Sequence, residues 1–491
     1  MASPRISRRR FLAAAAGAGA AALVPAGLAQ ARTIPRPDPG ARRRVAVAGA
    51  GLAGLTAALD LTAAGWDVVV LEARDRVGGR VHTLRDPFSP GMHAEAGGES
   101  IDDGHTEIQA LISRFGLRTE RRPALKPYDA AVYYEASREP LGAFVARRGG
   151  AVLQDVLRFY DAMAALAEGI DPEHPERAAN AHALDARSLE GLLREARLVP
   201  EAEFLMRLQQ RAVYNAELAD ISLLFVAQQE AAGPGGPLAE LDLFTAETMR
   251  VTGGNDRLVE AMAASLGPRV RLRSPVTRVD HHARGVRVHG RGRPLDAAWL
   301  VVATPMMPLR RVAFSPPLPH TIRAAVAGLD LGHAVKVMRE YAAPFWTAEG
   351  FSGFTVTDLP FAVGWAATDS QATPGGILTE FVTGRAGRDA AARREPNRVD
   401  TFLAQLDEVY PEGVPLATER TASMAWANEP YTGGGYAVYR PGQMAPFYAA
   451  LRDGAGRIRF AGEHLSPMAG YMESAVRSGR AAAARIGPPP E

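Results

Sequence analysis

Residues 45–72 narrow the choice of fold more than any other stretch of the chain. Val45-Ala46-Val47-Ala48 is a short apolar strand, followed by Gly49-Ala50-Gly51-Leu52-Ala53-Gly54 and a helical run from Leu55 to Ala64. Gly65 ends that run, Trp66 to Leu71 form a second apolar strand, and Glu72 closes it. This is a βαβ unit of about 30 residues with an acid about 20 residues past the glycines, the pattern of a dinucleotide site. Each part has a physical task. Gly49 permits the tight turn, Gly51 lets the backbone approach a pyrophosphate, and Gly54 lets helix and strand pack closely. Backbone N–H groups at the helix start, those of Leu52 and Ala53 among them, face the phosphates. Glu72 can accept from both ribose hydroxyls, and its charge disfavours NADP by repelling a 2′-phosphate.

Composition sets the outer bounds. With 491 residues, 47% of them hydrophobic, the chain can bury a large core. It has no Cys, which excludes disulfides, zinc–thiolate and iron–sulfur sites, and a thiol nucleophile. The 56 basic residues include only two lysines, Lys126 and Lys336. Lys126, before Pro127 in a loop-like stretch, reads as a solvated charge. No basic stripe with interleaved aromatics occurs, which argues against a nucleic-acid partner.

Residues 1–31 read as an address. Arg8-Arg9-Arg10-Phe11-Leu12 precedes a weakly apolar Ala/Gly/Leu run and Ala29-Gln30-Ala31, the order of a twin-arginine signal peptide with its cleavage site. That run is too weak for a stable membrane anchor. The expectation is engagement of the twin-arginine translocase and a periplasmic or secreted bacterial product. Residues 32–41, with three prolines, read as a linker. Without residues 1–31 the chain holds 52 basic and 54 acidic residues, a net charge of −2.

Glu72-Ala73-Arg74-Asp75-Arg76-Val77-Gly78-Gly79-Arg80 bears on which dinucleotide binds. A second glycine pair permits another close backbone approach, and Arg80 can bind a phosphate or flavin oxygen. This block resembles the flavin-dependent monoamine oxidase family, whose members carry a glutamate-led segment of this form. Four further blocks are similar to that family's: Glu95-Ala96-Gly97-Gly98, with Glu99 after it; Gly253-Gly254-Asn255-Asp256-Arg257-Leu258; Leu300 to Pro305; and Gly462-Glu463 with Gly470-Tyr471-Met472. Val270 to Val279 reads as one strand, with Val276 at the position where the family contacts the adenine.

The resemblance implies noncovalent FAD and an α/β fold: a discontinuous, glutathione-reductase-like Rossmann domain plus an α+β substrate-binding domain. The first would comprise residues 42–100, 250–310 and 440–488, the second 101–249 and 311–439. It implies that Ala73, Arg74, Gly97, Gly98, Glu99, Gly462, Glu463, Tyr471 and Met472 lie along the flavin. Lys336, ten residues before Trp346, matches the family's lysine, which contacts flavin N5 through a water and assists reoxidation. In a chain that uses Arg for almost every positive charge, a Lys that is kept suggests a task a planar, permanently charged group cannot perform. Trp426 and Tyr436, also ten apart, match as well, and Tyr436 and Tyr471 align with the two tyrosines that cage the amine.

Two departures bear on chemistry. Gly435 stands where some members tether FAD through Cys. Ser100 stands where L-amino-acid oxidases place a carboxylate-binding Arg, and Gly470-Tyr471 replaces their Gly-Trp. The expected reaction is FAD-dependent oxidation of a small-molecule amine to an imine, then to a carbonyl, with O2 reduced to H2O2. The alternatives are an L-amino-acid oxidase, an amine dehydrogenase with a cytochrome acceptor, and a nucleotide-binding module without redox activity. Asp102, Asp103 and Glu99 read as solvated loop acids, with recognition of a second ammonium as the sharper alternative. The stretch 101–249 is expected to line much of the pocket without a readable motif. A homodimer is compatible with the sequence, which carries no motif that sets oligomeric state.

Overall fold

The computed structural model describes residues 39–122, 129–233 and 248–490. The address at 1–31, most of the linker and Lys126 lie outside the described residues. A five-stranded parallel sheet is built around the strand Arg44–Ala48. Asp67–Leu71 and Val270–Arg271 lie on one side of it, Trp299–Val302 and Ile458–Phe460 on the other. Val45 to Val47, Leu300 and Val301 are fully buried, as expected for central strands covered on both faces. The helix Leu52–Ala63 starts three residues earlier than the sequence pattern suggested and crosses from the first strand to the second. It packs along the C-terminal helix Met472–Ile486, where Gly479 sits so close that a Cβ would collide with the Ala53 carbonyl.

The expected strand 270–279 is two strands in two sheets. Val270–Arg271 ends the parallel sheet, and Arg278–His282 begins a four-stranded sheet with Gly285–His289, Leu295–Ala297 and Ala313–Ser315. Pro275 lies in the break and has no N–H to donate to a ladder.

A seven-stranded sheet forms the second layer, in the order Ala417–Ala425, Val335–Tyr341, Gly376–Val382, Val363–Ala366, Thr355–Thr357, Ala131–Tyr134 and Ser137–Pro140. Its strand Val335–Tyr341 is buried throughout, and its side chains alternate between two environments. Val335, Val337 and Tyr341 pack in a core with the helix Glu395–Val409. Met338 packs with Phe88, Met92 and Ala96 on the opposite face, where the Glu340 carboxylate accepts from Ser89. The period of two therefore directs Lys336 toward the segment 95–99. Helices within 141–232 cover one end of this sheet, and Phe225, Leu223 and Leu224 are fully buried among them. Among the described residues, no helix is long and apolar enough to cross a membrane.

Candidate active site

One cavity of about 1270 Å³ runs between the parallel sheet and the seven-stranded sheet. That exceeds the roughly 300–1,000 Å³ of a typical single-ligand pocket, so a dinucleotide and a small substrate can share it. Its lining includes every expected site residue except Gly54 and Gly78.

Those two act in the wall. A Cβ on Gly54 would collide with the Gly49 carbonyl, so Gly54 sets the helix-to-turn distance. Gly78 has φ +98°, donates to the Ala50 carbonyl, and faces Val81 and Val259 rather than the cavity. Gly49 has φ +107°, and a Cβ there would lie 2.7 Å from the Ala303 carbonyl. Gly51 and Gly79 do line the cavity. Leu52 and Ala53 line it as well, so the helix start, with its unpaired N–H groups, opens here.

Glu72 is buried, and its carboxylate is held by two backbone N–H groups: Ala50 donates to Oε2 (2.7 Å) and Arg74 to Oε1 (2.9 Å). The acid thus braces the glycine turn as well as facing the cavity. Ser274 donates to the Glu72 carbonyl, which sets Val276 on the same wall. The Arg74 guanidinium donates to Glu429 and Thr432. Arg80 donates to the Gly435 carbonyl and, at 2.8 Å, to Glu463. Glu463 also accepts from Ala437 and Gly470, so it ties together both segments that carry the two tyrosines.

Trp426 Nε1 donates to the Ala96 carbonyl at 2.8 Å, beside Gly97. Gly97 itself is so close to Arg80 that a Cβ would collide with the Arg80 carbonyl. Met472 packs on Gly98, and Tyr471 is the N-cap of the C-terminal helix. The Tyr436 hydroxyl donates to the Ala212 carbonyl at 2.6 Å, and its ring lies against Gly470. The Tyr471 ring meets His105 edge-on, with centroids 5.1 Å apart. Burial first of all drops the His105 pKa to about 4, leaving it neutral near pH 7. Its Nδ1 accepts from Asp102 N–H, which puts the proton on Nε2.

Lys336 departs from expectation in one respect. Its ammonium donates to the Glu95 carbonyl (2.8 Å), the Gly97 carbonyl (3.1 Å) and Glu99 Oε2 (2.7 Å), which uses all three protons. A water at this ammonium would have to displace one of these acceptors. Glu99 is likewise no solvated loop acid. It is buried, paired with Lys336 and Arg250, and accepts from Trp365 Nε1. Burial alone would raise its pKa, but Lys336, Arg250 and Arg122 outweigh that and hold it at about 2. Asp103 pairs with Arg121 at the surface.

The sequence reading missed Arg250, Trp365, His105, Gln209, Gln210 and Asn215. A Cβ on Gly435 would collide with Asn215 Nδ2, so Asn215 fills the space where other members place a flavin-tethering side chain. No spacing rule reaches these residues: Gln209, Gln210 and Asn215 sit on one helix and its C-cap, and His105, Arg250 and Trp365 come from three other elements. As expected, the stretch 101–249 contributes widely, through Asp102, His105, Met163, Gln209, Gln210, Val213 and Gln229 among others.

Comparison with known proteins decides the family. Residues 52–487 match the model of the flavin containing amine oxidoreductases. The chain belongs to this family. A flavin-containing monoamine oxidase of Mycobacterium tuberculosis, AofH, is 32% identical over 450 residues, covering 90% of this chain and 96% of the relative. An L-amino acid dehydrogenase of Synechocystis is 27% identical over 453 residues, covering 90% and 94%. The structure of putrescine oxidase bound to putrescine superposes with a TM-score of 0.82 at 27% identity, covering 90% of this chain and 98% of that one. The α/β fold and FAD-dependent amine oxidation are therefore those of this family. The glycine turn, the open helix start and Glu72 fit FAD, and with no Cys in the chain the flavin carries no cysteinyl tether.

Proposed function

We propose that the protein oxidises a small amine lacking an α-carboxylate, with O2 as electron acceptor and H2O2 as product. The observation that carries this reading is the state of the cavity's arginines. Among the described residues four line it, and each already donates to a protein acceptor: Arg74 to Glu429, Arg80 to Glu463, Arg311 to the Pro430 carbonyl and Arg477 to Glu473. Among the described residues, the part of the lining drawn from 100–105 and 209–233 adds Asp102 and Glu230, with Asp103 paired to Arg121, and no lining arginine. Such a wall favours an incoming ammonium and opposes a carboxylate.

FAD, when bound, accepts the two electrons and the hydrogen taken from the substrate's α-carbon. The protein binds, orients and desolvates. Glu72 and the helix start would hold the ribose and pyrophosphate, with Val276 at the adenine. Gly97, Gly98, Trp426, Gly462, Glu463 and Met472 would flank the flavin. Tyr436, fixed through Ala212, and Tyr471, fixed by its N-cap position and by His105, present ring faces whose negative quadrupole orients the amine nitrogen. Lys336 supplies a fixed positive charge on the wall at Gly97.

An anaerobic bleaching screen of the holoenzyme tests the substrate class. Primary amines and diamines should bleach the flavin, and the matching L-amino acids should not. Faster bleaching by amino acids overturns the reading in favour of an L-amino-acid oxidase. Reduced flavin that persists in air replaces O2 with another acceptor, as in a dehydrogenase. We also propose that residues 1–31 send the folded holoenzyme out of the cytoplasm by the twin-arginine route. Arg8 and Arg9 replaced by Lys should then retain the protein in the cytoplasmic fraction.

A further inference from the structure

Five ionised side chains alternate in sign from Arg122 to the cavity wall. Arg122 pairs with Asp369 (2.7 Å), Asp369 with Arg250 (3.3 Å), Arg250 with Glu99 (2.7 Å) and Glu99 with Lys336 (2.7 Å). No side chain among them is more than 9% exposed. Taking each ion from water costs several kcal/mol, and apolar packing of the same volume often serves stability as well. Stability alone is thus a weak reason for such a chain.

Its placement suggests another. Glu99 lies within hydrogen-bond distance of two cations, Arg250 and the cavity-wall Lys336, and Trp365 Nε1 fixes it further at 2.8 Å. Lys336 rests on the Gly97 carbonyl, and Gly97 and Gly98 line the cavity. The charge that a flavin meets at this wall is the sum of Lys336 and Glu99, with Arg250 behind.

We propose that Glu99 is a positioning residue that pins the Lys336 ammonium to the Gly97 carbonyl and offsets its charge, so setting how strongly the site favours reduced, anionic flavin. The proposal rests on the reading that this cavity holds FAD. A glutamine at 99 keeps the size and the acceptor oxygen for Lys336 but removes the counter-charge. Lys336 would then act on the flavin unopposed, with Arg250 behind it balanced by Asp369 alone, through an effective dielectric near 20.

The test is a reductive titration of purified holoenzyme with dithionite against a reference dye, which needs neither amine nor O2. Glu99→Gln should raise the ratio of reduced to oxidised flavin at a fixed potential roughly tenfold, about 30 mV for a two-electron couple. Sulfite, whose flavin adduct is anionic, should bind more tightly by a similar factor. Asp369→Asn, two ion pairs further from Lys336, should shift both quantities in the same direction by less. Wild-type potential and sulfite affinity in Glu99→Gln overturn the proposal. Should Glu99→Gln fail to hold FAD, Asp369→Asn decides: a shift supports the proposal and an unchanged potential overturns it. An unbleached flavin in the amine screen would sink the amine-oxidase reading while leaving this result standing.

Discussion

The two ends of the cavity are built on opposite plans. At the dinucleotide end, the contacts come mainly from backbone, and the residues that shape them sit in two short runs, 49–54 and 72–80. At the substrate end, Lys336, Tyr436, Tyr471, His105 and Gln210 come from five distant segments, and three of them are aimed by a partner elsewhere: Lys336 by Glu99, Tyr436 by Ala212, Tyr471 by His105. A backbone site tolerates almost no added atoms. A side-chain site depends on its supports.

The largest expected effect follows from that intolerance. Gly54→Val puts branched carbon into the Gly49 carbonyl, and neither backbone can retreat without moving the parallel sheet. Purified protein should carry little or no flavin, read as the ratio of visible to ultraviolet absorbance. Normal flavin content would break the contrast between the two ends.

The seam between the ends should give a middle effect. Gly435→Ala drives a methyl into the Asn215 amide, a costly overpacking of about 1–3 kcal/mol. Among the described residues, the Asn215 side-chain nitrogen and oxygen have no hydrogen-bond partner, so its truncation forfeits no protein hydrogen bond and costs only the cavity and the loss of Asn at a left-handed C-cap. Asn215→Ala combined with Gly435→Ala should therefore recover a good part of the lost melting temperature. Purely additive losses in the double-mutant cycle would show that the two residues do not compete for the same space.

The smallest effect is a pH dependence common to both ends. His464 at the dinucleotide end and His105 at the substrate end are each lowered to about 4, chiefly by burial. The unfolded chain protonates them near 6.5, so their contribution is complete above that pH and is lost as pH falls from 6.5 toward 4. Glu95, raised to about 7 by burial above all, works in the other direction between 4.5 and 7. The melting temperature should decline below pH 6.5 with a muted slope, and His105→Gln should flatten it further. An unchanged slope in that variant would remove His105 from the account.

Legibility followed the same division. The turn at Gly49, the helix N-terminus and the acid at 72 were readable because backbone geometry imposes residue type at fixed local spacing. The rarity of Lys336 and the resemblance carried by Tyr436 and Tyr471 pointed to three residues that do line the cavity. The strand 270–279 was misread because a run of suitable residues does not say which sheet each half joins. Glu99 was misread as solvated because its cations, Lys336 and Arg250, lie 237 and 151 residues away.

By itself, then, the sequence determined a dinucleotide fold, an absence of thiol chemistry and the resemblance to the flavin amine oxidases. Only the tertiary structure decided which charges meet. Glycine turns and helix starts are local, whereas the field at Lys336 arises where strands from distant parts of the chain bring ions together in a medium that screens them poorly.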